Sequence, residues 1–258
     1  HLAAANGHLD IVTTLIEKEA DINKANEEGW TALHLAAENG HTKTVETLIE
    51  KGADINKANE EKMTALHLAA ANGHTKTVET LIEKGADKGA IDNQERTALH
   101  FAAANGHLDI VEKLIENGAN KDATDNEGWT ALHLAAANGH TKTVETLIEK
   151  GADINKDNEQ AMTALHLAAA NNHLDIVKKL VENGADINKA NNQGLTALHF
   201  AAANNPEMVA VLSPNPNPTL GMFNCFARCF RPTSGRSNSQ VTPDDSVGQS
   251  LNPVVPTR

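Results

Sequence analysis

Apolar residues recur along this chain in two short stripes per repeat, separated by polar punctuation. In residues 31–63 the first stripe is Leu33, Ala36 and Ala37, spaced i, i+3, i+4, which predicts a short helix with one buried face. Thr31 stands before it as an N-cap, a residue whose hydroxyl accepts from the first free backbone N–H groups. Asn39-Gly40 ends it, because Gly tolerates the left-handed conformation found just past a helix. A second stripe, Val45, Leu48 and Ile49, predicts another helix from about Thr42, closed by Gly52. Residues 53–63 are rich in Asp, Asn and Lys and read as a turn and loop. The sequence Thr-Ala-Leu-His then returns at Thr64, Thr97, Thr130, Thr163 and Thr196, always 33 residues apart. Neither helix can bury its stripe alone, so the units must stack, and the fold class is an all-α solenoid of helix-turn-helix repeats with projecting loops.

Full copies run over 31–63, 64–96, 97–129, 130–162 and 163–195. A partial copy occupies 1–30, with His1 in the place of His34, and a last one fades over 196–212. Two versions of the second helix are mixed along the chain, Thr-Lys-Thr at 42, 75 and 141 and Leu-Asp-Ile at 9, 108 and 174, a pattern of internal duplication. Aromatic residues make up only 3% of the 258 and Tyr is absent, so the core must be Ala, Leu, Ile and Val. Net charge is −12; residues 213–258 hold four Arg against Asp244 and Asp245, or +2, which leaves −14 on the array. An acidic array argues against nucleic acid as partner, since phosphates need a basic face. The chain begins at His1 inside a repeat, so upstream sequence is expected to be missing. No apolar run approaches 18 residues, and both Cys, Cys225 and Cys229, lie outside the repeats. A disulfide framework is therefore not the source of stability, which points to an intracellular and in the first place cytoplasmic setting.

Thr-Ala-Leu-His-Leu-Ala-Ala, then Asn-Gly-His, then a helix ending Lys-Gly-Ala-Asp-Ile-Asn, closely resembles the ankyrin repeat over residues 1–212. The resemblance implies paired antiparallel helices with hairpin-like fingers, a motif His that ties loop to helix, and a function in binding proteins without chemistry of its own. It also places Asn56, Asn155 and Asn188 at the family's asparagine hydroxylation position. Three departures stand out. Ala32 and its equivalents replace the usual Pro; Glu19 replaces the Gly found at 52, 85, 118, 151 and 184; and Lys88-Gly89 interrupts the finger 87–96, predicted to be the least ordered.

All thirteen His fall on repeat positions, six in the motif (34, 67, 100, 133, 166, 199), one as His1, and six opening the second helix. No unit supplies a Cys/His set at zinc spacing, no nucleophile stands beside a base, and no Gly-rich phosphate loop occurs. The expectation is no metal, no cofactor and no enzyme. Scaffold positions are those the units share, so binding positions should be those that differ. The residue before each motif varies as Trp30, Met63, Arg96, Trp129, Met162 and Leu195, and the resemblance places this position on the concave face. Trp, Met and Arg are enriched at interface centres. Glu27, Glu28, Glu60, Glu61 and Glu127 in the same fingers would form an acidic rim.

The reading is a monomeric adaptor or scaffold for a partner protein. Two alternatives stay open: a recognition arm of a larger protein whose catalytic or channel part lies upstream, and a scaffold tethered to a membrane by lipid on Cys225 and Cys229. From 213 the composition turns to Pro, Ser and Asn, which predicts a mostly disordered tail, with an apolar patch at 220–231 that could dock on the last repeat. By analogy alone, duplicated repeats also suit a bacterial protein delivered to a host cell.

Overall fold

The computed structural model describes residues 1–201 and 205–213. Among these, every helix belongs to one of two layers. The inner layer comprises α1 (Leu2–Ala5), α3 (Ala32–Glu38), α5 (Ala65–Ala71), α7 (Ala98–Ala104), α9 (Ala131–Ala137), α11 (Ala164–Ala170) and α13 (Ala197–Ala201). The outer layer comprises α2 (Leu9–Glu17), α4 (Thr42–Glu50), α6 (Thr75–Glu83), α8 (Leu108–Glu116), α10 (Thr141–Glu149), α12 (Leu174–Glu182) and α14 (Pro206–Leu212). No strand occurs among the described residues; one isolated bridge joins Asp157 to Thr163. The architecture is the all-helical repeat solenoid that the period requires.

Inner helices are short because their sequence starts and stops them within seven residues. Thr31 holds an extended backbone, its hydroxyl meets the His34 N–H, and the His34 ring reaches back to the Thr31 N–H, closing a reciprocal capping box. The same box recurs at Thr64, Thr97, Thr130 and Thr163. Small side chains let these helices pack closely: Ala36, Ala69, Ala102, Ala135 and Ala168 are wholly buried. Val45, Val78, Val111, Val144 and Val177 complete the core from the outer layer.

Units are bolted together by repeated hydrogen bonds as well as by the core. His140 at the start of α10 donates from Nε2 to the Ala104 carbonyl at 2.9 Å, and His41, His74, His107 and His173 do the same in their own units, each to a carbonyl of the unit before. Gly106 adopts φ +69°, and a Cβ there would stand 2.5 Å from the His140 ring, so this turn needs glycine twice over. At the finger tips, backbone N–H groups donate to the preceding finger: Glu60 to Glu28 at 3.2 Å, Asn93 to Glu61 at 3.0 Å, Asn126 to Gln94 at 3.0 Å.

That ladder corrects one expectation. The finger 87–96 carries the same tip bond as its neighbours, the Asp87 N–H donates to Asn56 Oδ1, and Arg96 adds an ion pair to Asp92. Losing Ile-Asn at 88–89 leaves it braced by the neighbouring finger. Glu19 behaves as the sequence warned: it holds φ 63° where Gly52 holds 98°, so the first unit turns the same corner under strain.

Candidate functional site

The six variable residues share one backbone environment. Each N–H donates to an Asx side chain four residues earlier: Trp30 to Asn26, Met63 to Asn59, Arg96 to Asp92, Trp129 to Asp125, Met162 to Asn158 and Leu195 to Asn191. From Met63 onward, each carbonyl accepts from the motif His of the preceding unit, as Met63 from His34 and Trp129 from His100, both at 3.1 Å. The main chain is thus fixed by groups of one kind in every unit, an Asx oxygen and, from Met63 onward, a motif His, which frees the side chain to differ. The Asx position, legible as Asn or Asp at 26, 59, 92, 125, 158 and 191, was not singled out from sequence.

Side chains from this row and from the inner helices form one layer at the feet of the fingers. Trp30 meets the His34 ring edge-on at 6.0 Å, and Trp129 meets His133 at 6.1 Å. Arg96 donates from Nε and Nη2 to Asp92 Oδ2 and lies 4.4 Å over the Phe101 ring. Met162, Leu195, Trp30, Trp129 and Arg96 are all partly exposed. Met63 is different. It is 2% exposed, in a cluster with Leu68, Ala71 and Phe101 against which Trp30 packs. Its assignment as a binding anchor is therefore corrected: Phe101, where every other unit but the last carries Leu, and the neighbouring Trp30 close over it. The sequence also missed Ile91, which stands 47% exposed on the third finger.

Charge divides the molecule. On the outer helices carboxylates meet lysines of the next unit: Glu50 with Lys84 at 2.8 Å, Glu116 with Lys150 at 3.1 Å, Glu145 with Lys179 at 3.0 Å. In the fingers Glu27, Glu28, Glu60, Glu61 and Glu127 are exposed and enter no ion pair among the described residues. An acidic edge borders the aromatic and Arg row.

The motif histidines are structural groups. In His34, Nδ1 accepts the Thr31 N–H at 3.1 Å, so the proton sits on Nε2 and is given to the Met63 carbonyl. Burial pushes the His34 and His133 rings down to about 4, and burial likewise lowers His67, His100 and His166. They are held neutral, each with both ring nitrogens used. No group of three or more His, Cys, Asp or Glu among the described residues could hold a metal ion. No helix among them is long and apolar enough to cross a membrane. Cys225, Cys229 and the apolar patch at 220–231 lie outside the described residues.

The family description "Ankyrin repeats (3 copies)" matches residues 1–92, 86–158 and 155–220. Among solved structures, the human ASB11 ankyrin repeat domain superposes with a TM-score of 0.77 at 28% identity, over 84% of this chain and 98% of that one. A curated protein of Oryza sativa subsp. japonica, described as a probable E3 ubiquitin-protein ligase XBOS33, is 67% identical over 33 residues. That window is 13% of this chain and spans only 6% of the rice protein, the length of a single repeat. Period, capping boxes, stacked helix pairs and these matches agree: the chain belongs to the ankyrin repeat family, whose repeats are generally protein-interaction modules.

Proposed function

We propose that this chain is a non-catalytic scaffold that holds a partner protein along the finger feet and inner helices. One observation carries the reading: a row of side chains that the fold does not specify, set on a backbone that it specifies completely. Trp30, Arg96, Trp129, Met162 and Leu195 supply the apolar and cationic contacts. Glu27, Glu28, Glu60, Glu61 and Glu127 supply an acidic edge suited to a partner with basic residues beside an apolar strip. A reducing, intracellular setting and a monomeric state complete the reading. Scaffold and adaptor roles need no more than this surface.

The test is affinity capture from a eukaryotic lysate followed by calorimetry on the partner obtained. Trp129→Ala should weaken that complex by about 1–2 kcal/mol while helicity is unchanged. Equal affinity for the two proteins would move the site off this row. Met63 is left intact in this experiment, since truncating it would open the core.

A second reading, the recognition arm of a larger protein, draws on the rice relative, where the matched repeat is a small fraction of the whole. Sequencing the complete reading frame decides it. Tethering through lipid on Cys225 and Cys229 is tested by hydroxylamine-sensitive acylation, with Cys→Ser at both positions as the control.

A further inference from the structure

The residues that set one unit apart from another return after 99 positions, three units on. Residues 1–212 hold four Trp or Phe side chains, and these make two such pairs, Trp30 with Trp129 and Phe101 with Phe200. Met63 and Met162 make a third. Their geometry returns as well. Trp30 crosses the His34 ring at 62°, and Trp129 crosses the His133 ring at 62°. Phe101 crosses His67 at 84° with centroids 5.8 Å apart, and Phe200 crosses His166 at 86° and 6.1 Å. Near each tryptophan two neighbouring fingers each carry an exposed carboxylate on hydrogen-bonded backbone. The Glu60 N–H donates to the Glu28 carbonyl at 3.2 Å, and the Glu159 N–H to the Glu127 carbonyl at 3.0 Å. None of these four carboxylates enters an ion pair among the described residues.

Duplication of three units accounts for the period but not for what it has kept. A copied segment carries every surface alike until substitutions accumulate. Between residues 18–27 and 117–126 only Ala20 meets its match, yet Glu28-Gly29-Trp30 returns as Glu127-Gly128-Trp129. On the outer helices Thr13, Thr14, Glu79 and Thr80 are answered by Glu112, Lys113, Lys178 and Lys179. The fold does not demand Trp or Met in the row, because Arg96 and Leu195 make the same backbone bonds there.

We propose that the row is two half-sites of one kind, and that its occupant is a single partner chain carrying one short motif twice. The motif is an apolar side chain with basic residues beside it. This rests on the row being the binding surface. Each half-site offers a tryptophan to the apolar residue and two carboxylates to the basic ones. Helices stack about 8–10 Å apart, so three units set the half-sites about 24–30 Å apart. An extended chain covers about 3.3–3.6 Å per residue, so about eight residues or more separate the two motifs.

The probe is a peptide selected on the whole chain from a random-peptide phage library and titrated by calorimetry. Two peptides should bind per chain. Trp30→Ala and Trp129→Ala should each remove one, and the double variant both, with helicity unchanged; where helicity falls, Trp→Leu replaces Ala, since Leu195 already occupies the equivalent place. Two copies of the peptide on a flexible linker that spans three units should bind about 100-fold tighter than one, and a join of about three residues should give no such gain. One peptide per chain, lost with only one Trp variant, leaves the row as the binding surface and overturns the paired half-sites. Binding that survives the double variant overturns both the pairing and the reading of the row. A selection that yields no binder overturns the proposal. So does a tandem peptide no tighter than the single one with any linker, since the half-sites would then serve two separate chains.

Discussion

Residues 9–17 and 174–182 are nearly the same helix, yet α2 and α12 live in different surroundings. Leu15 is 46% exposed and Leu180 is fully buried, although both occupy one register position. The difference lies in the neighbour, not in the helix. In a stacked array each unit is supported by the units it touches, so one helix sequence can be exposed in one place and buried in another. One further feature belongs to the first unit's own sequence: Glu19 stands in the left-handed region.

The largest expected effect narrows this contrast with acid. His34 and His133 titrate near 4 when folded, against about 6.5 when unfolded. A depressed folded value means stability is complete above pH 6.5 and is lost as pH falls toward 4. At pH 5 each of the two should cost the interior roughly 2 kcal/mol. Amide exchange, corrected for intrinsic rates, should show α9 losing protection between pH 7.5 and 5 far more than α2. Parallel loss in both helices would contradict it.

Cavity formation comes next. Leu180→Ala should cost about 3–5 kcal/mol in urea unfolding, while Leu15→Ala should cost less than about 1 kcal/mol. Similar costs would show that the first unit is as well packed as the sixth. The smallest effect works the other way. Glu19→Gly relieves a left-handed non-glycine residue and should stabilise the first unit by about 0.5–1 kcal/mol, read as slower exchange in α2. Gly118→Glu, the reverse change inside the array, should destabilise its unit by a like amount.

Much of the fold was legible because its signals are local. Thr caps, Asn-Gly stops and i, i+3, i+4 stripes act within a few residues, and a 33-residue period brings the motif round six times. Legibility failed where a side chain's fate depends on a residue about 30 positions away. Met63 varies like an anchor but is enclosed by Leu68 and Phe101 of later helices. The interruption Lys88-Gly89 looked like a loose finger, yet Asn56 and Glu61 of the previous finger brace it. Asp92 and Arg96 read as two loop charges, and their geometry over Phe101 makes them one fixed group.

By itself the sequence determined the unit and its helix limits, while its resemblance to a family implied a structural role for the motif histidines and marked the variable row at which we propose a partner binds. Tertiary structure alone decided which members of that row reach solvent and which finger carboxylates go without an ion pair among the described residues. The physical reason is range: capping and periodicity are set by bonds within one turn, whereas exposure and charge pairing are set by whichever unit is stacked alongside.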